Sequence, residues 1–232
     1  MTANGKVDIQ DLIVNTNDLV AGAAAADSDQ IQVWNGTEFT VYFYRAYKSK
    51  NPGKFTYGPC WVDGTSTTTA SEPAHKDLAR GVGVWFARPS SAKAGVVTLS
   101  GSIDNKKKNL PINTGFNMIG SAFPVDISVN SNNCPIVWSE CAVAGAAAAD
   151  SDQIQIWNGT EFTVYFYRAY KSKNPGKFTY GPCWVDGTST TTASEPAKLT
   201  IKAGEAFWYA RPSAGSEGVL PQKSPLAPAA AE

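Results

Sequence analysis

The sequence predicts an all-β protein made of two tandem antiparallel β-sandwich domains from an internal duplication, and three observations predict it. Residues 20–74 recur as residues 143–197 at an offset of 123, with one difference, Val33 against Ile156. Within each copy, apolar residues alternate with period two around Asn-Gly and Asp-Gly turns, the spacing of half-buried strands rather than helices. The composition sets 7 Trp, 9 Tyr and 10 Phe against only 17% charged residues, a balance that suits pleated sheets.

A chain of 232 residues accommodates two cores of ordinary size. The first copy is expected over residues 1–105, the second over 106–218, and a Pro/Ala-rich tail over 219–232. Outside the near-identical block the offset persists, with Gly81 matching Gly204, Trp85 matching Trp208, and Arg88-Pro89 matching Arg211-Pro212.

Taken in order, residues 23–26 form an alanine connector, and residues 30–44 form a hairpin. A three-residue loop Trp34-Asn35-Gly36 sets Ile31 opposite Phe39, whereas a two-residue turn sets it opposite Thr40. The first register places Ile31, Val33, Phe39, Val41 and Phe43 on the buried face. Tyr42 and Tyr44, with their repeats Tyr165 and Tyr167, then face outward as a candidate aromatic binding surface, to which Tyr57, Trp61, Tyr180 and Trp184 add further rings. A turn over residues 50–54, a strand over 55–62, a turn at Asp63-Gly64, and strands over 81–88 and 96–103 complete the succession. From residue 213 onward the sequence reads as an extended linker.

Under the 123-residue offset each copy is one strand short. The strand Phe116-Asn117-Met118-Ile119 has no counterpart ahead of copy one, and Pro221 halts the closing strand of copy two. Head-to-tail completion of one molecule by the next is therefore expected, with residues 7–14 or 219–226 as donor, giving a homopolymer.

Several function classes are disfavoured. Lys plus Arg equals Asp plus Glu at 20 each, so no basic face exists to attract nucleic acid. No run of 18 apolar residues predicts a membrane span, and the first 20 residues carry no leader pattern, which leaves the natural start open. The single histidine, His75, becomes Lys198 in copy two, and no nucleophile elbow or phosphate-binding glycine pattern occurs, so no enzyme and no catalytic residue is expected. Asp27-Ser28-Asp29, its repeat Asp150-Ser151-Asp152, and Asn4-Gly5-Lys6-Val7-Asp8-Ile9-Gln10-Asp11 offer oxygens to calcium, but capped turns explain them as well, and neither a cofactor nor a metal site is assigned. The Asn35 and Asn158 sequons sit in the hairpin turns, where asparagine serves geometry. Cys60 and Cys183 are repeat equivalents, while Cys134 and Cys141 precede copy two. With no zinc-type spacing, at least one disulfide involving Cys134 or Cys141 is expected.

The elements Gly115-Phe116-Asn117-Met118-Ile119-Gly120, Phe123-Pro124, Ile156-Trp157-Asn158-Gly159 and Ala203-Gly204-Glu205-Ala206-Phe207-Trp208 resemble a repeated β-domain of secreted bacterial surface proteins. That resemblance implies an exported β-sandwich and brings no catalytic residues. The expected function is thus a non-catalytic extracellular or cell-surface structural protein, a filament or matrix subunit assembled by strand complementation. The alternative is a carbohydrate-binding or adhesion module with glycans as partners.

Overall fold

The structure, a computed structural model, describes residues 5–46, 58–65, 72–100, 103, 106–169, 181–188 and 195–226. It is all-β, with several antiparallel sheets. The chain divides into two units, residues 1–80 with 84–102, and residues 81–83 with 103–232. The expected boundary near residue 105 thus moves to residue 102, and three residues of the first copy join the second unit. The predicted turn at 50–54, residues 55–57 of the strand at 55–62, and both Tyr57 and Tyr180 lie outside the described residues.

In unit 1 the strands are β1 (Lys6–Asp8), β2 (Gln30–Trp34), β3 (Phe39–Arg45), β4 (Cys60–Asp63), β5 (Asp77–Ala79) and β6 (Trp85–Ala87). One sheet runs β4-β3-β2-β6, and β1 pairs with β5. In unit 2 they are β7 (Lys108–Ile112), β8 (Gly115–Gly120), β9 (Ile127–Ser128), β10 (Gln153–Trp157), β11 (Phe162–Arg168), β12 (Cys183–Asp186), β13 (Thr200–Ile201), β14 (Ala206–Arg211) and β15 (Gly218–Gln222). Here the main sheet runs β12-β11-β10-β14-β8, with β13-β9 and β15-β7 as separate pairs. The alanine connectors become 3-10 turns, Ala25–Asp27 and Ala148–Asp150.

The hairpin adopts neither expected register. Trp34 pairs with Phe39, Val33 with Thr40 and Ile31 with Tyr42, around a four-residue loop. Asn35 is the reason: its Oδ1 accepts the backbone N–H of Thr37 at 2.9 Å and of Glu38 at 3.0 Å, while Gly36 takes φ +110°. Because strand faces alternate with period two, this parity turns Tyr42 and Tyr44 inward beside Ile31, Val33 and Trp61. The predicted outward tyrosine surface is therefore corrected. Tyr42 is 7% exposed and Tyr44 5%, Tyr167 is 5% exposed, and Tyr165 is half-buried against the second core.

The predicted tail is corrected as well. Residues 218–222 form β15, registered against β7 from Gly218↔Ile112 to Gln222↔Lys108, with Leu220 fully buried. Pro221 is tolerated because its carbonyl still accepts the Val137 N–H at 3.2 Å, and only a donor is lost.

A buried carboxylate anchors each unit. Asp29 accepts the Val20 N–H and both Nε and Nη2 of Arg88. Asp152 repeats this with the Val143 N–H and Arg211, and gains the hydroxyl of Tyr209, which Phe86 replaces in unit 1. These carboxylates, two of those considered for calcium, are thus spent on internal partners. Among the described residues no group of three His, Cys, Asp or Glu is placed to hold a metal ion, and no helix is long and apolar enough to cross a membrane.

Candidate functional site

The two units differ most at two sheet edges. In unit 2, β14 lies between β10 and β8, with six registered pairs to β8 from Ala206↔Gly120 to Arg211↔Gly115. In unit 1, β6 occupies the corresponding place through equivalent pairs to β2, Gln30↔Ala87 matching Gln153↔Ala210, and among the described residues it ends its sheet.

The second edge repeats the contrast. β15 is held on one side by β7 and on the other by the Ile136↔Gln222 bridge. Its unit 1 counterpart, residues 95–99, keeps only the second contact, through the Ile13↔Leu99 bridge and the Val14 N–H to Thr98 carbonyl bond at 3.1 Å. No counterpart of β7 is present among the described residues.

β7 and β8 are the two arms of one hairpin, so a single element closes both edges of unit 2. Asn117 shapes its turn, accepting the Asn113 N–H at 3.0 Å and donating to the Asn113 carbonyl at 2.8 Å. The arms carry Leu110, Ile112 and Ile119 into the core. Gln222, with no exposed surface, fastens the hairpin's end: its side chain accepts the Ala122 N–H at 2.7 Å and donates to the Gly120 carbonyl at 3.2 Å. Unit 1 has Leu99 at that position, 54% exposed, beside Val96 at 67%. Likewise Phe207 and Tyr209 are buried in unit 2, whereas their counterparts Val84 and Phe86 are half-buried. Unit 1 therefore combines two strand edges with unburied apolar side chains, the two features that strand addition can satisfy together.

The segments expected to donate are already engaged. Residues 7–14 hold Ile9 and Ile13 in the core of unit 1, and residues 219–226 contain β15. Unit 2 does not lack a closing strand, so the expected complementary deficit at its end is not there.

The N-terminal flanks also match, although the 123-residue alignment misses it. Gln10 donates to the Trp61 and Ala74 carbonyls and accepts the Trp61 N–H; Asn130 makes the same three bonds to Trp184 and Ala197. The offset here is 120, because residues 131–134 carry a three-residue insertion that restores 123 at Ile136. His75 pairs with Asp8 at the surface at 3.1 Å.

None of the four cysteines is within disulfide distance of another, so the expected disulfide is not shown. Cys134 and Cys183 line one cavity of about 320 Å³ with Trp138 and Tyr167. Burial raises the pKa of both thiols and lifts Cys141 to about 12, so the thiolate that disulfide chemistry requires is scarce.

No family model matches the chain, and no curated protein or solved structure matches it.

Proposed function

We propose that the chain is a non-catalytic structural protein of the cell exterior, two tandem β-sandwich units whose first unit is completed by a β-hairpin from a neighbouring repeat. The observation that carries this reading is internal to the molecule. The pair of edges that β7 and β8 close in unit 2 recurs in unit 1 at residues 85–87 and 95–99, with apolar side chains beside it; among the described residues of the first copy only 81–83, just ahead of β6, are bonded to β8, through the Val82↔Ile119 bridge and the Gly83 N–H to Met118 carbonyl bond at 3.0 Å. The described residues hold one such hairpin and two frames for it. Exchange between identical copies leaves the number of open frames unchanged, so strand pairing alone gains nothing in a polymer of this chain. A neighbouring repeat that supplies a hairpin beyond the one its own frame uses does gain, and contacts of that kind extend head to tail into a filament or matrix. The absence of nucleophile–base geometry in the sequence and the secreted-surface resemblance of copy two support a structural role over an enzymatic one.

The test adds a synthetic peptide of residues 108–120 to the full chain. Binding measured by fluorescence anisotropy, with slowed amide exchange in residues 84–88 and 95–99, is expected, and a scrambled peptide should do neither. A peptide that binds without protecting those residues, or fails to bind at millimolar concentration, refutes the reading.

A further inference from the structure

We infer that one strip on the outer face of the main sheet in each unit, around Trp157 and Phe162 and around Trp34 and Phe39, is a binding platform for a neutral polysaccharide chain. The inference is independent of the hairpin frame and uses residues on the opposite side of the sheet from the inward tyrosines. In unit 2 the register sets Trp157 against Phe162, and Gln155 between Val164 and Trp208, all on the face away from Ile154 and Tyr209. Trp157 is 41% exposed and Phe162 40%, with ring centroids 5.0 Å apart. Unit 1 repeats the pairing with Trp34 and Phe39, both half-buried, at 5.2 Å, and Gln32 between Val41 and Trp85.

The amides are oriented in advance. Gln153 donates to the Ala148 carbonyl at 2.9 Å, and Gln155 donates to the Gln153 Oε1 at 3.1 Å. Unit 1 carries the same relay through Gln30 and Gln32, at 2.8 and 3.1 Å. A relay anchored on backbone fixes the outer amide without further ordering, which lowers the entropic cost of recognition.

The chemistry selects the ligand. The strip of Gln153, Gln155, Trp157, Phe162, Val164 and Trp208 carries no charge, and the nearby Arg168 is buried with its guanidinium over the Phe166 ring at 5.7 Å. A neutral strip offers nothing to a phosphate, a carboxylate or a basic peptide. Exposed rings offer flat apolar area, and an amide offers both a donor and an acceptor. A pyranose with equatorial hydroxyls presents the complement, an apolar C–H face with hydroxyls around its rim.

Affinity electrophoresis of the full chain through gels containing hydroxyethylcellulose or laminarin tests this, with pectin as an acidic comparison. Retardation by a neutral glucan is expected, with saturable quenching of tryptophan emission. Trp157→Ala should weaken it at least tenfold, Trp34→Ala with Trp157→Ala should abolish it, and Gln155→Ala should weaken it while circular dichroism and thermal unfolding stay unchanged. No retardation by either glucan, retention by pectin alone, or equal retention of the double variant overturns the inference. So does the finding that these residues bind a protein partner and no glucan.

Discussion

Asp152→Ala should be among the most damaging single substitutions in unit 2, and its counterpart Asp29→Ala should cost unit 1 much less. Asp152 has no exposed surface and receives the Val143 N–H at 2.8 Å, Arg211 Nε at 3.2 Å and Nη2 at 2.9 Å, and the Tyr209 hydroxyl. Truncation leaves the Arg211 side chain, 4% exposed, as a buried charge without its carboxylate. Removing one partner of a buried pair costs about 3–5 kcal/mol. In a unit of this size that converts to a fall in Tm of roughly 10–20 °C. Arg88 is 17% exposed and has no tyrosine hydroxyl beside its carboxylate, so it can turn toward water after Asp29→Ala, and about 1–3 kcal/mol is expected. Calorimetry with hydrogen exchange to assign each transition to its unit provides the measurement. Equal losses in the two units, or a loss below about 1 kcal/mol for Asp152→Ala, would refute the reasoning from burial.

Cys141, with its pKa raised to about 12 by burial, should alkylate at pH 8 about a thousandfold more slowly than an ordinary thiol, followed by mass spectrometry of iodoacetamide-treated protein. Folded pKa values above the unfolded ones contribute stability below the unfolded values that is lost as pH rises through the folded ones. Unit 2, whose Cys141 and Tyr209 are both raised by burial, should therefore lose stability from about pH 9 upward in alkaline urea titrations. Asn130→Ala removes three bonds to the Trp184 and Ala197 backbone and should destabilise unit 2 by about 2–3 kcal/mol, with Asn130→Gln recovering little because the two flanks differ in length. Gly145→Ala would place a Cβ 2.6 Å from the Asp150 carbonyl oxygen and should lower Tm measurably; unchanged unfolding would contradict the close approach.

Strand existence was legible where period two was strong, as in residues 30–44 and 153–167, and the duplication carried that reading from one copy to the other. The face was not. It depends on loop length, and Asn35 lengthened the loop through side-chain bonds that no alternation count registers. One residue of parity then exchanged Phe39 and Val41 for Tyr42 and Tyr44 in the core. Pro221 misled for a related reason: a proline forbids one hydrogen bond, while strand membership depends on all of them. The open edges of unit 1 were half legible. The missing opening strand could be read from the offset, but the role of the hairpin in closing two sheets at once required the pairings. At the N-terminal flank the tripeptide Val7-Asp8-Ile9 recurs as Val125-Asp126-Ile127, an offset of 118 that conflicts with the observed 120 set by Val7↔Leu78 and Ile127↔Ile201.

The near-identity of the two hairpins bears on how the chain reaches its native state. β2 and β10 differ by one methylene group, Val33 against Ile156, and β3 and β11 are identical, so during folding β11 would offer β2 the same register and the same side chains as β3 does. Nothing local tells the right partner from its twin. Discrimination falls to shorter loop closure and to the diverged flanks, above all Tyr209 against Phe86 and Asn130 against Gln10. Both copies are tethered in one molecule at high effective concentration, so a fraction of chains diluted from denaturant should close on the wrong twin and resolve slowly, a kinetic trap that either unit expressed alone would escape.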